Sequence, residues 1–170
     1  MARQIQFRQT GGPEVLEIAD VKPAAPGPNE VRIANRAVGL NFIDIYFRTG
    51  LYPTDLPSGL GTEGAGVIEA VGDDVEDFAE GDRVAYAQGP KGAYADFVVI
   101  PADKVIALPH GIDFETAAAC MLKGLTVQYL IRQTYAVGED DTILFHAAAG
   151  GVGSIACQWA KALGAHVIGT

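Results

Sequence analysis

The 170-residue sequence predicts a mostly β, barrel-like N-terminal domain followed by the first strand–helix–strand unit of a doubly wound α/β domain. Three observations carry the prediction. Up to about residue 110, short β-prone runs alternate with Gly/Pro turns and only one short helical interruption, the grammar of a small barrel. Beyond that point the apolar spacing changes to the three-and-four rhythm of helices. The last stretch, TILFHAAAGGVGSIACQWAKALGAHVIGT from Thr142 to Thr170, reads as a strand, a glycine-rich turn, a helix and a second strand. A complete βαβ unit fits within about 30 residues, so the stretch is long enough for one.

The strands expected in the first part are Gln4–Phe7, Leu16–Ala19, Glu30–Val38, Gly64–Val71, Arg83–Tyr86, Ala93–Ile100 and Val105–Leu108. Turns at Gly11-Gly12-Pro13, Pro26-Gly27-Pro28, Asp73-Asp74 and Pro90-Lys91-Gly92 separate them, because glycine and proline supply the backbone angles that turns need. A short helix is expected around Phe42–Arg48, and a longer one at about Phe114–Tyr135 with Asp113 as its N-cap. The domain boundary is placed near residue 125, giving domains 1–125 and 126–170.

In the closing segment, Ile143-Leu144-Phe145 has the apolar, β-prone character of a buried parallel strand. Gly150, Gly151 and Gly153 then open a helix whose apolar positions Ile155, Ala156, Trp159, Ala160 and Leu163 share one face. Gly164 ends it and His166-Val167-Ile168 resumes as a strand. Such a turn suits a pyrophosphate. Glycines let the backbone approach the phosphates, and the free N–H groups and dipole of the helix start attract negative charge. The pattern is Ala148-x-Gly150-x-x-Gly153, so an alanine stands where the usual fingerprint begins with glycine, and an ordinary tight strand-to-helix turn is the competing reading.

Composition narrows the field. Hydrophobic content of 49% and charged content of 19% are globular values, and a net charge of −9 disfavours nucleic acid and anionic membrane as partners. MARQIQFRQTGG lacks the apolar core of a signal peptide, and no apolar run approaches the ~20 residues of a spanning helix, so a cytoplasmic location is expected. The two cysteines, Cys120 and Cys157, lie in helix-like apolar segments and read as core residues. His110, His146 and His166 are dispersed without a nucleophile signature and read as structural, with a supporting role kept open only for His146 beside the glycine turn.

Several phrases in order, GGPEVLEI, VGLNFIDIYFRTGLYP, LPSGLGTEGAGVIEAVG, GDRVAY, LKGLTVQYLI and FHAAAGGVG, resemble the zinc-independent quinone oxidoreductases of the medium-chain dehydrogenase/reductase superfamily. The resemblance covers the whole chain. It implies a barrel like that of the small chaperonin, then a doubly wound nucleotide domain, with NADPH in the cleft between them, and whole chains roughly twice this length. It also implies dimers formed through the nucleotide domain, so the parent is expected to be a homodimer.

Zinc-bearing relatives carry a catalytic Cys where this chain has Asn41, and Gly-His-Glu where it has Gly61-Thr62-Glu63. Catalytic zinc needs three thiolate, imidazole or carboxylate ligands, and an asparagine and a threonine do not supply them. No metal site is expected. Reduction of an acceptor already able to take hydride is the chemistry that remains.

Asn41 has two readings. It caps the short helix, with Asp44 completing a box-like arrangement, or it bounds a substrate space. The resemblance adds that Phe42, Ile43, Asp44 and Tyr46 line the nicotinamide pocket, with Asn41 and Tyr46 as the residues facing substrate. Tyr46 would donate a hydrogen bond to a quinone oxygen as charge builds on it, or it is packing. Arg48 reads as a partner in a surface ion pair, with a hydrogen bond to the quinone oxygen as the alternative, and Glu63, among glycines, as a buried hydrogen-bonding group. Lys123, Thr126 and Tyr129 match positions near the cofactor. Lys123 as a solvated charge and Thr126 bonding back to a helix carbonyl are the alternatives. Gly150, Gly151, Val152 and Gly153 form the expected pyrophosphate loop.

The function expected is NADPH-dependent reduction of a quinone, by hydride or stepwise electron transfer from the nicotinamide. Reduction of an α,β-unsaturated aldehyde or ketone is the related alternative, and a non-catalytic association module is the alternative of another class.

Overall fold

The computed structural model describes residues Met1–Thr170, and the chain divides into two compact units, Met1–Met121 and Leu122–Thr170. In the first unit the strands are β1 (Ala2–Phe7), β2 (Glu17–Val21), β3 (Glu30–Val38), β4 (Ser58–Gly59), β5 (Glu63–Val71), β6 (Arg83–Ala87), β7 (Phe97–Pro101) and β8 (Val105–Ala107), with helix α1 (Phe42–Thr49) between β3 and β4. Helix α2 (Phe114–Gln128) spans the division. In the second unit come β9 (Thr142–Phe145), α3 (Gly151–Ala162) and β10 (His166–Gly169).

The first unit holds an antiparallel sheet of order β7-β3-β5-β6-β8 and a smaller one of order β2-β1-β4. The expected barrel is not closed. The edge strands β7 and β8 do not pair with each other, and the two sheets are joined by an isolated Gln4–Ala95 bridge rather than by a continuous ladder. The reason lies partly in 93–96, expected to extend β7. Gly92 has φ +133°, Asn35 Nδ2 donates to the carbonyls of Ala93 (3.1 Å) and Ala95 (2.9 Å), and the Ala95 N–H turns back to Ala93 O. Carbonyls spent on a side chain are lost to the sheet, so the regular strand starts at Phe97.

Alternation along the first half of β3 turns Val31 and Ile33 into the core. Val31 and Ile33 from β3 meet Ile68, Val84, Tyr86, Val98 and Ile100 from the neighbouring strands. Each such aliphatic side chain contributes about 1.5–3 kcal/mol on full burial. A second cluster places Ala65 and Ala85 against Leu108, Ala117 and Ala118, which seats the start of α2 on the sheet.

Asp113 caps α2 as expected, accepting the Thr116 N–H at 2.7 Å, and hydrogen bonding by the Thr116 side chain, with this backbone bond, holds its carboxyl below the usual range. The helix does not run in α form to Tyr135. From Tyr129 to Thr134 it widens into a π turn, in which the Tyr135 N–H donates to Leu130 O. Cys120 is exposed and Cys157 half-buried, so neither is a core residue. On a 3.6-residue helix it is Met121, not Cys120, that follows Ala117 and Ala118 on one face.

In the second unit β9 and β10 pair in parallel, Thr142 opposite His166 through Phe145 opposite Gly169. Helix α3 lies on this pair through Ala156 and Ala160, with Val127, Ile131, Val137 and Ala165 closing the core. Gly164 adopts φ +92° just beyond α3, the left-handed conformation that ends a helix most cheaply with glycine. No helix is long and apolar enough to cross a membrane.

Candidate functional site

In the first unit, the segment Gly39–Tyr46 leaves β3 and enters α1. Asn41 is the N-cap residue, in extended conformation, and its N–H donates to Asp44 Oδ2 at 2.9 Å, the carboxyl half of a capping box. Its side-chain Nδ2 donates to Glu63 Oε1 at 2.8 Å. Asn41 and Asp44 are buried, and Glu63 is fully enclosed. The capping and the site readings of Asn41 are therefore compatible, since the residue caps the helix start while Glu63 holds its amide nitrogen. Glu63 is the buried hydrogen-bonding group expected.

Gly39 makes this possible. A Cβ there would stand 2.0 Å from Glu63 Oε1 and 2.3 Å from Ala118 O. On the other side, Tyr94 O–H donates to the same Asp44 Oδ2 at 2.8 Å, and its ring fills the space over Gly61, whose φ is +88°. Tyr86 O–H donates to Asn35 Oδ1 at 2.9 Å.

Burial pushes both phenols well above the ordinary tyrosine value, helped at Tyr94 by the adjoining Asp44 and opposed at Tyr86 by the Asn35 hydrogen bond. The stability linked to these protons is fully present below the unfolded-chain value of about 10, and is lost as pH rises from there towards the folded values. A spectrophotometric alkaline titration of the six tyrosines should therefore show Tyr86 and Tyr94 ionising late, and unfolding midpoints should fall above about pH 10. Normal titration of all six would contradict this burial.

The remaining expected residues of this segment lie outward. Phe42 is exposed and Ile43 half-buried. Tyr46 is half-buried, its ring 6.5 Å from Phe42 and 5.3 Å from Tyr52, and no protein group engages its hydroxyl. Asp44, expected near the cofactor, turns its carboxyl inward. Arg48 forms no ion pair; its Nε is buried without a hydrogen bond. The aromatic patch is extended by Phe47, which packs edge-on to Tyr52 and lies under the Lys91 ammonium at 4.5 Å.

In the second unit, the turn between β9 and α3 passes through Ala147 in the left-handed region (φ +54°), and Gly150 is the N-cap with no side chain to offer. The first helical bond is Ser154 N–H to Gly150 O, so the N–H groups of Gly151, Val152 and Gly153 point out of the helix start. Gly153 is buried, and a Cβ there would stand 2.3 Å from Ala147 O and 2.7 Å from Ala148 Cα. Ala148, in the place of the fingerprint's first glycine, is accommodated by β10: its methyl occupies the space a side chain on Gly169 would need, at 2.7 Å.

Lys123 reaches this turn. Its Cδ and Cε lie 3.0 Å from the Cβ position of Gly151, so the stem covers the glycine and carries the ammonium beside the helix start. Thr126 Oγ1 donates to Leu122 O at 2.9 Å, the back-bonded form, and Tyr129 is exposed at the start of the π turn. His146, also exposed, shares a 2.8 Å hydrogen bond with Thr170 Oγ1.

The structure thus gathers Asn41, Asp44 and Glu63 into one polar cluster, Phe42 and Tyr46 into one aromatic patch, and Lys123 with Gly150, Gly151, Val152 and Gly153 around one helix start. Sequence reasoning missed Tyr94, Tyr52 and Lys91. Tyr94 lies 50 residues from Asp44 and carries no local signal; Tyr52 follows the Phe42–Phe47 aromatics closely enough to have been grouped with them. No set of three or more His, Cys, Asp or Glu side chains is disposed to hold a metal ion.

Residues 27–110 match the alcohol dehydrogenase GroES-like domain. The chain is 66% identical to a quinone oxidoreductase of Pseudomonas aeruginosa, covering 100% of this chain and 53% of that protein. It is 45% identical to a 2-haloacrylate reductase of a Burkholderia species, over 96% of this chain and 51% of that protein. Among solved structures, the Escherichia coli quinone oxidoreductase complexed with NADPH superimposes with a TM-score of 0.96 at 57% identity, covering 98% of this chain and 52% of that one. The chain spans about half the length of the curated relatives it matches. With the GroES-like domain, the open glycine turn and these likenesses agreeing along its whole length, the chain belongs to the quinone oxidoreductases of the medium-chain dehydrogenase/reductase superfamily.

Proposed function

We propose that the protein is an NADPH-dependent reductase of quinones that works without a metal ion. The single observation that carries this reading is the uncapped, glycine-lined start of α3 with the Lys123 stem laid over Gly151. A nucleotide pyrophosphate fits it: the N–H groups of Gly151 and Val152 are donors without helical acceptors, the helix dipole favours an anion, and a lysine ammonium adds charge. Support for NADPH comes from the solved Escherichia coli relative, which holds that nucleotide. Reduced nicotinamide would supply a hydride. The protein's own part is to bind, orient and exclude water.

In the first unit, Asn41 and Tyr46 are the groups assigned to the acceptor. Tyr46 has a free hydroxyl in an aromatic surface suited to a flat conjugated ring, and it would donate to the oxygen on which negative charge develops. The Asn41 amide, pinned by Glu63, contributes a fixed dipole rather than a mobile side chain. Neither residue needs to take a proton from a neutral substrate, because a quinone accepts hydride without prior activation by a metal. The 2-haloacrylate reductase relative favours a second acceptor class, the activated alkene, which shares this need for a stabilised oxygen. Assembly as a homodimer and a cytoplasmic location complete the reading.

Lys123→Met keeps the apolar stem and removes the charge. In the intact protein this variant should bind NADPH about tenfold more weakly, the equivalent of one charge-assisted hydrogen bond of about 1.4 kcal/mol, while quinone KM stays near wild type. Titration of NADPH fluorescence measures it. Unchanged affinity would remove Lys123 from the phosphate site, and absence of saturable NADPH binding by the wild type would overturn the functional reading itself.

A further inference from the structure

The groups that hold Asn41 are themselves held, and the last of them lies far along the chain. Asp44 Oδ2 accepts two hydrogen bonds, from the Asn41 N–H at 2.9 Å and from Tyr94 O–H at 2.8 Å, while Asp44 Oδ1 is buried without a partner. Three groups therefore meet at one point below the start of α1. A capping carboxyl with one oxygen idle has a rotation to lose: with only the Asn41 amide on it, the ring of contacts no longer fixes its angle. Tyr94 removes that freedom because its own position is fixed from three sides. Its N–H donates to Leu60 O at 2.9 Å, its C=O accepts the Ile5 N–H at 2.8 Å, and its ring occupies the space left by Gly61.

We propose that Tyr94 is a positioning residue which, through Asp44, sets the entry of α1 and hence the placing of Asn41 and Tyr46. The inference rests on the assignment of those two residues to the acceptor. Glu63 fixes the Asn41 side chain and Tyr94, through Asp44, fixes its backbone, so the residue is held at both ends from outside its own segment. The hydroxyl is what matters. In Tyr94→Phe the ring still fills the space over Gly61, and only the bond to Asp44 is lost.

The experiment compares Tyr94→Phe with wild type in two ways. In steady-state assays of the intact protein with NADPH and a benzoquinone, kcat should fall about five- to tenfold with the NADPH dissociation constant unchanged within about twofold, since a hydrogen bond to a charged or buried carboxyl is worth about that factor. In amide NMR of the intact protein, the Asn41 N–H resonance should move upfield, with Gly151 and Val152 unmoved. Asp44→Ala, which removes the shared acceptor, should match or exceed the Tyr94→Phe loss. Wild-type kcat in Tyr94→Phe, or an unmoved Asn41 resonance, would overturn the proposal, as would a lowered melting temperature with kcat per folded molecule unchanged. If wild type itself reduces no quinone, the functional reading fails instead, and the Asn41 resonance still decides whether Tyr94 positions that residue.

Discussion

Gly153→Ala should unfold or loosen the βαβ unit and abolish NADPH binding at concentrations that saturate the wild type. The added methyl would lie 2.3 Å from Ala147 O and 2.7 Å from both Ala148 Cα and Ala148 O, all backbone atoms of the turn. None of these can rotate away as a side-chain tip would. Relief requires moving α3 off β9, which breaks the contacts of Ala156 and Ala160 with the core of this unit. Overpacking of this kind costs about 1–3 kcal/mol, and more where backbone must shift. The reporter is built in. The only tryptophan, Trp159, sits half-buried on α3, so its fluorescence follows denaturation of this unit alone. Gly124→Ala is the control of opposite sign: nothing lies within 4 Å of a Cβ there, and in the interior of α2 alanine should stabilise by about 0.5–1 kcal/mol. If Gly153→Ala keeps the wild-type denaturation midpoint and NADPH affinity, the close helix–strand approach is not what the turn depends on.

Gly39→Ala is the corresponding expectation for the first unit. Its methyl would meet Glu63 Oε1 at 2.0 Å, Glu63 Cγ at 2.4 Å and Ala118 O at 2.3 Å. Glu63 is fully buried and bonded to Asn41, and Ala118 O belongs to the helix seated on the sheet, so neither yields without disturbing the cluster. We expect a loss of about 2–3 kcal/mol in stability and at least a tenfold fall in kcat, because displacing Glu63 releases the Asn41 amide. Chemical denaturation followed by far-UV circular dichroism, with quinone kinetics on the intact protein, measures both. A variant with lowered stability and normal kcat would show that the Glu63–Asn41 bond serves folding only.

How much of this was legible follows from the range over which each signal acts. The turn Gly150–Gly153, the Asp113 cap and the Asn41–Asp44 box are local devices, and each is readable because a few adjacent residues decide it. Most strands were legible for the same reason, with the two-residue β4 too short to leave a pattern. Closure of the barrel was not. It depends on which distant edges pair, and the Asn35 side chain, not a local propensity, takes the carbonyls at 93 and 95. The departure at Ala148 looked like a weakness of the fingerprint, and it is resolved by Gly169, a residue of the neighbouring strand. Tyr94 was invisible because nothing near it in sequence speaks of Asp44. Cys120 misled because an apolar helical segment still has an outer face.

The function we propose is metal-free hydride transfer from NADPH to a quinone. Its most direct test is consumption of NADPH by the intact, chelator-treated protein with a benzoquinone, followed by the loss of reduced-nicotinamide absorbance. Saturable, quinone-dependent consumption is expected, undiminished by the chelator and lowered by Tyr46→Phe and by Asn41→Ala. Absence of turnover with any quinone, or activity that disappears with the chelator and returns with zinc, would contradict it.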